Sequence, residues 1–338
     1  MKIFTDFDDL EKSTINSTII IGNFDGVHLG HQEIIKKCFK IASPNNFGIL
    51  TFDPHPRDYF KKNNIEFKLT LKKQKYQMLE KMNVNFVVEL KFDINLETLS
   101  PIKFVENILF DKLKVQNIIV GTDFRFGHKR SGDFELLKKL GLQYKIDVFS
   151  IDLKKSDNKA ISSTRIREAL KEGKLNIANK MLGYLHEIYG TVVHGDKRGR
   201  ELGFPTINLE LKNVIIPKLG IYSCLIKILS PNFTEILKGV ASIGTKPTFG
   251  RNKANCEVYI FNFSESIYGK DVVISLVNFQ REEIKYNSIE ELKLQMKSDC
   301  KIALDNLTNK NLLYYEKRIL EKGRYIGTQL RKGLDADI

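Results

Sequence analysis

The sequence predicts two folds in succession: an α/β unit built on a parallel sheet, then an all-β unit closed by a helix. Three observations predict this. In the first half, short apolar runs alternate with amphipathic helical patterns, which argues for a parallel sheet with helices on both faces. In the second half, strand-like runs are separated by turns rich in Gly, Pro and Asn, with no long helix before Ser288–Asn306. That is the pattern of a small antiparallel barrel with a C-terminal helix. The length of 338 residues suits two domains, each able to bury its own core.

The strands expected in the first half are Thr18–Gly22, Phe47–Phe52, Phe86–Leu90, Asn117–Val120 and Lys145–Phe149. The helices are Gly30–Ala42, Leu71–Met82, Pro101–Lys112, Asp133–Leu142 and Ser163–Glu172. Right-handed crossovers put the strand C-terminal ends and their loops on one edge of the sheet. The second half offers strands at Tyr184–Val193, Ile221–Leu229, Gly239–Ile243, Glu257–Phe263 and Asp271–Phe279. The boundary falls after Ala169–Leu182, a helical stretch interrupted by Gly173 and ending at Gly183. The domains expected are therefore 1–182 and 183–306, followed by a basic helical tail, 307–338, of no evident role.

Composition narrows the class. Apolar residues make up 42% and charged residues 28% of the chain, as in ordinary globular proteins. No apolar run approaches the roughly 20 residues that span a bilayer. The N-terminus carries acids and has no apolar signal-peptide core. The four cysteines, Cys38, Cys224, Cys256 and Cys300, lie far apart, which fits reduced thiols in a cytoplasm better than a disulfide framework or a zinc site. The net charge of +13 is scattered, so neither nucleic acid nor membrane is the expected partner; a homo-oligomer stays open.

Chemistry concentrates in a few segments. GNFDGVHLGH spans the end of the first strand and the start of the first helix, where backbone N–H groups and the positive helix end favour an anion. Gly22, Gly26 and Gly30 allow a phosphate to approach closely, and the imidazoles of His28 and His31 are suited to donating to it. Two other readings stand beside this one: a metal site completed by Asp25, and a plain strand-to-helix turn with incidental histidines.

Three further segments fall where strand ends should converge. TFDPHP (Thr51–Pro56) offers Phe52 as a face for a flat ring, and its two prolines fix the backbone. GTDFRFG (Gly121–Gly127) sets an acid, two aromatics and an arginine among glycines. ISSTRIREAL (Ile161–Leu170) puts Ser163 and Thr164 at a helix start beside Arg165 and Arg167, either as plain helix caps or as a triphosphate clamp.

In the second half, GTVVHGDKRGRELGFPTINL (Gly190–Leu209) is a glycine-rich basic loop running into a strand. Gly195, Gly199 and Gly203 would let amides cradle phosphates, and Lys197, Arg198 and Arg200 supply charge. Thr206 and Asn208, two residues apart on a strand, share one face and carry oxygens of the kind a magnesium–nucleotide complex accepts. A turn followed by an ordinary strand fits the same residues.

The string GNFDGVHLGH, TFDPHP, GTDFRFG, ISSTRIR resembles the nucleotidyltransferase superfamily, and within it the prokaryotic bifunctional riboflavin kinase/FAD synthetase family. FPTIN (Phe204–Asn208), ASIGTKPTFG (Ala241–Gly250), CEVYIFNF (Cys256–Phe263) and YGKDVVISLVNFQREE (Tyr268–Glu283) resemble its kinase half. The resemblance runs from about Ser17 to Ala303. It departs at Asp53, usually Glu; at Tyr184, usually Arg; at Ile284 and Tyr286; and in the long tail.

The resemblance implies a Rossmann-like nucleotidyltransferase domain followed by a riboflavin kinase-like barrel. It implies ATP as co-substrate, Mg²⁺ as cofactor, and riboflavin, FMN and FAD as substrates and products. His28, His31 and Arg167 would serve adenylyl transfer, and Glu257 would be the base on the ribityl hydroxyl. Gly22, Phe24, Asp25, Gly26, Gly30, Asp123, Ser163 and Thr164 would bind nucleotide in the first half, with Gly195, Lys197, Gly203 and Pro205 in the second. Phe52, Pro54, His55, Phe124 and Arg281 would meet flavin, and Thr206 and Asn208 the metal. Three rival readings remain. One is a cytidylyl- or pantetheine-type transferase, against which the FPTIN barrel argues. The others are a chain retaining one of the two activities and a flavin- or nucleic-acid-binding regulator on the same scaffold.

Overall fold

In the computed structural model the chain divides into two compact units, Met1–Ser163 and the residues from Thr164 onward. The structure describes residues 1–7, 10, 14–41, 46–60, 67–195, 198–248 and 251–308. Among them, no helix is long and apolar enough to cross a membrane.

The first unit is a six-stranded sheet. Its strands are β1 (Lys2–Phe4), β2 (Thr18–Ile21), β3 (Phe47–Asp53), β4 (Phe86–Lys91), β5 (Asn117–Gly121) and β6 (Asp147–Ile151). They pair in parallel in the order β1-β4-β3-β2-β5-β6. Its helices are α1 (Leu29–Ile41), α2 (Pro56–Phe60), α3 (Lys72–Lys81), α4 (Ile94–Glu97), α5 (Pro101–Lys103) and α6 (Phe134–Tyr144). The helix expected at Pro101–Lys112 is α5 running on into a π-helix over Phe104–Lys112.

The central strands are short runs of β-branched residues, TIII in β2 and NIIVG in β5, apolar on both faces as a covered parallel sheet requires. Successive side chains alternate between two cores. Ile19, Ile21, Leu50, Val88, Ile118 and Val120 join Phe104, Leu109 and Leu137 on one side. Ile20, Ile49, Val87 and Ile119 join Ile35, Cys38 and Leu79 on the other. A one-residue slip of any central strand would exchange the two sets, so the register is fixed by burial.

The topology locates the site. From β2 the chain moves through β3 to β4 on one side, then crosses back to β5 on the other. The C-terminal ends of β2 and β5 therefore flank the switch point, where open α/β sheets bind ligands. GNFDG follows β2 and GTDFRFG follows β5. A small hairpin, β7 (Lys155–Ser156) with β8 (Lys159–Ala160), precedes the helix α7 (Ser163–Lys171). Neither β1 nor this hairpin is expected from sequence, because two or three residues carry no readable period.

In the second unit, α7 ends before Gly173 and α8 (Leu175–Leu182) ends on the left-handed Gly183, as the sequence predicts. Asn179 fastens α8 to the sheet: its Nδ2 donates to Leu276 O at 3.1 Å and its Oδ1 accepts from His186 N at 2.8 Å.

The strands are β9 (His186–Thr191), β10 (Thr206–Glu210), β11 (Gly220–Ile228), β12 (Leu237–Thr248), β13 (Arg251–Ile260) and β14 (Asp271–Arg281), with α9 (Arg198–Glu201) between the first two. They form an antiparallel sheet in the order β10-β13-β12-β11-β14-β9. Val193, just beyond β9, donates its N–H to Asn208 O at 2.9 Å, so the two edges meet and the sheet curls into a small barrel. The C-terminal helix α10 (Ile289–Asn306) is capped by Ser288, and its Ala303 packs with Leu307 against Leu185 and Leu225. Residues 309–338, which include most of the expected basic tail, lie outside the described residues.

Candidate functional sites

At the end of β2, the Gly22 N–H still reaches Leu50 O at 3.0 Å, after which the chain turns. Phe24 is fully buried, and its ring supports His31 at a centroid distance of 4.7 Å. His28 and His31 stack at 3.7 Å with planes 15° apart. His28 Nδ1 accepts the His31 backbone N–H at 3.3 Å, which leaves the His28 proton on Nε2. Gly30 makes the stack possible, since a Cβ there would lie 3.0 Å from the His28 ring.

Desolvation, then the nearby His28 and Lys75, hold the His31 pKa well below the usual 6.5. Its Nδ1 is buried with no hydrogen-bond partner among the described residues, and the same is true of Asn23 Oδ1. A buried donor or acceptor left open costs about 1–3 kcal/mol, so both atoms have hydrogen-bonding capacity to spare in this loop.

Asp25 clamps the backbone ahead of α3. Its carboxylate accepts Leu69 N at 2.9 Å and Thr70 N at 3.3 Å. Gly26, at φ +81°, donates its N–H to Thr70 Oγ1 at 3.2 Å. The Asp25 carbonyl accepts Ser163 Oγ at 2.9 Å. Among the described residues no three His, Cys, Asp or Glu side chains converge as metal ligands.

The remaining predicted residues of the first unit sit around the same sheet edge. Phe52 is half-buried beside Phe92 at 6.0 Å, and Pro54 is exposed. His55 Nδ1 accepts Arg57 N at 3.0 Å, and its ring meets Phe67 edge-on at 5.0 Å. Asp123 is exposed, and Phe124 stacks on Phe126 at 5.5 Å. Thr164 and Arg167 belong to the second unit, where Thr164 is exposed and Arg167 lies on the buried side of α7 with Ile166 and Leu170.

Sequence reasoning missed a cluster at the ends of β3 and β4. Lys72 pairs with Asp53 at 3.1 Å and with the buried Glu89, which also accepts the Tyr76 hydroxyl. Lys75 lies beside them with its ammonium 3.4 Å from Thr51 Oγ1. In the run KKQK these lysines look like a solvated helix face. The available signal is that Lys75 stands one turn before the buried Leu79, hence on the inward side of α3.

In the second unit the pairing register builds the site. Asn208 on β10 stands opposite Glu257 on β13, and Glu257 stands opposite Ser242 on β12. Directly opposed residues share a face, and Thr206 joins them two residues before Asn208. Glu257 accepts Asn255 Nδ2 at 3.1 Å, while its neighbours Cys256 and Val258 point into the core.

Gly195 lies against Asn208 so closely that a Cβ would stand 2.3 Å from its Nδ2. Gly199 approaches Thr206 Oγ1, and Gly203 at φ +87° opens onto free space. Pro205 is exposed, and Lys197 lies outside the described residues. Arg281 donates from Nε and Nη2 to Asp299 at 2.8 and 2.5 Å, and from Nη1 to Glu282 O at 2.9 Å. In this structure its donors anchor α10.

Residues 10–165 match the FAD synthetase family and residues 182–307 the riboflavin kinase family. The chain is 37% identical to the bifunctional riboflavin kinase/FMN adenylyltransferase of Buchnera aphidicola subsp. Schizaphis graminum, covering 90% of this chain and 98% of that one. It is 38% identical to the enzyme of that name from Listeria monocytogenes (86% and 92%) and 34% identical to that of Escherichia coli K12 (91% and 96%). A crystal structure named as a macrolide-efflux protein from Streptococcus pneumoniae superposes with a TM-score of 0.78 at 27% identity, covering 88% of this chain and 96% of that one. With both halves matched in order and relatives aligned nearly end to end, the chain belongs to the bifunctional riboflavin kinase/FMN adenylyltransferase family.

Proposed function

We propose that this chain makes FAD in two steps. The second unit phosphorylates riboflavin at its 5′-hydroxyl with ATP, giving FMN and ADP. The N-terminal domain, residues 1–182, transfers AMP from a second ATP to FMN, giving FAD and pyrophosphate. The observation that carries this reading is the presence, in one chain, of a stacked imidazole pair beside open buried polar atoms and of Thr206, Asn208 and Glu257 on one barrel face.

In the kinase step, Glu257 accepts the hydroxyl proton as that oxygen attacks the γ-phosphorus, and the bond to the β-phosphate breaks. The hard oxygens of Thr206 and Asn208 fit Mg²⁺ held jointly with nucleotide phosphates, and the absence of a side chain at Gly195 lets the Asn208 amide stand where it does. Bound there, the ion would neutralise phosphate charge. Gly203, Pro205 and Lys197 would line the nucleotide, and Arg281 would shape the flavin end by fixing α10.

In the transferase step the nucleophile is already a phosphate oxygen, so no strong base is needed. Positioning and charge stabilisation suffice. His28 and His31 would donate to phosphate oxygens, with Arg167 adding charge. Gly22, Phe24, Gly26 and Gly30 shape the loop, and Asp25 and Ser163 hold it. Asp123 and Thr164 would meet the nucleotide, and Phe52, Pro54, His55 and Phe124 the flavin.

The proposed domains are 1–182 for the transferase and 183–306 for the kinase, acting in the cytoplasm on small molecules without nucleic acid or a membrane. The test is a pair of variants assayed in both steps. Glu257→Gln should abolish FMN formation and spare FMN-to-FAD conversion; His31→Ala should do the reverse, each by about a hundredfold or more. Both activities lost in each variant would overturn the assignment of one reaction to each domain.

A further inference from the structure

Lys75 is a charged group in the first unit that the mechanism above leaves without a task. It is half-buried and reaches from α3 to Thr51 on β3, and its charge, after desolvation and His28, contributes to lowering the His31 pKa. Three carboxylates raise its pKa through their charge: Glu89, Asp25 and Asp53. Each is already engaged. Glu89 takes Lys72 and the Tyr76 hydroxyl, Asp53 takes Lys72, and Asp25 takes the amides of Leu69 and Thr70.

The Lys75 ammonium makes one long hydrogen bond, 3.4 Å to Thr51 Oγ1, and lies 5.2 Å from the Tyr76 ring centroid. Among the described residues it forms no salt bridge. Desolvation lowers its pKa against the pull of those carboxylates, and Lys72 adds to the lowering. Thr51 Oγ1 in turn donates to Asn23 O at 3.3 Å, which links Lys75 to the loop whose Asn23 Oδ1 and His31 Nδ1 stand open. A desolvated cation with unused donors, next to polar atoms awaiting partners, is a pocket for an anion.

Resting on the adenylyl-transfer reading of this site, we propose that Lys75 is a further catalytic residue, binding the phosphate oxygens of ATP that leave as pyrophosphate. As an FMN phosphate oxygen bonds to the α-phosphorus, the bond from that phosphorus to the α,β-bridging oxygen breaks, and its electron pair stays with pyrophosphate. No proton is transferred. The Lys75 N–H donors meet the charge that appears on the departing group, an interaction stronger in the transition state than in bound ATP.

The test uses the full chain, whose riboflavin phosphorylation serves as an internal reference. Lys75→Met should lower kcat for FAD formation from FMN by about a hundredfold, weaken inhibition by pyrophosphate, and leave both KM for FMN and the kinase step unchanged. In Lys75→Ala, added ethylammonium should restore FAD formation in proportion to its concentration, which a purely structural lysine would not allow. FAD formation by Lys75→Met within a few fold of the parent, or loss in Lys75→Ala that ethylammonium does not restore, overturns the proposal. If His31→Ala also leaves FAD formation intact, the adenylyl-transfer reading itself fails; if His31→Ala abolishes it while Lys75→Met does not, only the role of Lys75 fails.

Discussion

The two units build their candidate sites by different means. In the parallel sheet the site hangs on loops beyond the strand ends, and its geometry is set by turns, a helix start and long-range clamps such as Asp25 on Leu69 and Thr70. In the barrel the residues sit within strands, and hydrogen-bond register alone brings Asn208, Glu257 and Ser242 to one face. Loop sites are tuned by side-chain packing around them. Register sites are all-or-none, because a slip of one residue turns every side chain to the other face.

This difference can be broken by substitutions that add one methyl group. Gly195→Ala should have the largest effect, because a Cβ 2.3 Å from the Asn208 amide must push that side chain aside. A displacement of about 1 Å at a reacting centre costs on the order of a hundredfold, so riboflavin phosphorylation should fall by about that factor with adenylylation spared. Separate assays of the two steps check it.

Acid should separate the units next. His186 in the second unit is fully buried, and desolvation lowers its pKa to about 4. Unfolded, it takes a proton below about pH 6.5; folded, it stays neutral down to about 4. The unfolded state thus binds more protons in that window, and stability falls as pH drops through it, by about 3 kcal/mol in total. Hydrogen exchange resolved by unit should show this loss in the barrel, and His186→Gln should flatten it. With no tryptophan in the chain, fluorescence is a poor substitute.

The smallest effect is expected from Gly30→Ala. The new Cβ would stand 3.0 Å from the His28 ring, which has to shift by only a few tenths of an ångström. Adenylylation should drop by roughly tenfold and the kinase should not change. A larger loss than at Gly195 would reverse the contrast between a tunable loop site and a rigid register site.

Much of this was legible in the sequence. The strand runs TIII and NIIVG, the cap residues Asp133 and Ser288, and Gly183 as a helix stop each act through local physics that a single chain position reveals. The clustered segments GNFDGVHLGH and FPTIN were legible because glycines, histidines and hydroxyls in such short runs are chemically conspicuous. The inward turn of Lys75 was legible only weakly, through its place one turn before Leu79, because the lysines around it read as a solvated face. The bidentate pairing of Arg281 with Asp299 was not, since its partners lie 18 residues apart on a strand and a helix.

By itself, the sequence determined the order of the two folds and the placement of most elements, and it singled out the segments proposed to carry the chemistry, because period, capping and turn formation are local. Only the tertiary structure decided that Asp25 clamps a loop, that His28 and His31 stack, that Glu257 faces Asn208, and that the Lys75 ammonium reaches Thr51 at the end of β3. Each of these depends on which distant segments exclude water together, and burial of that kind is a property of the packed chain rather than of any stretch of it.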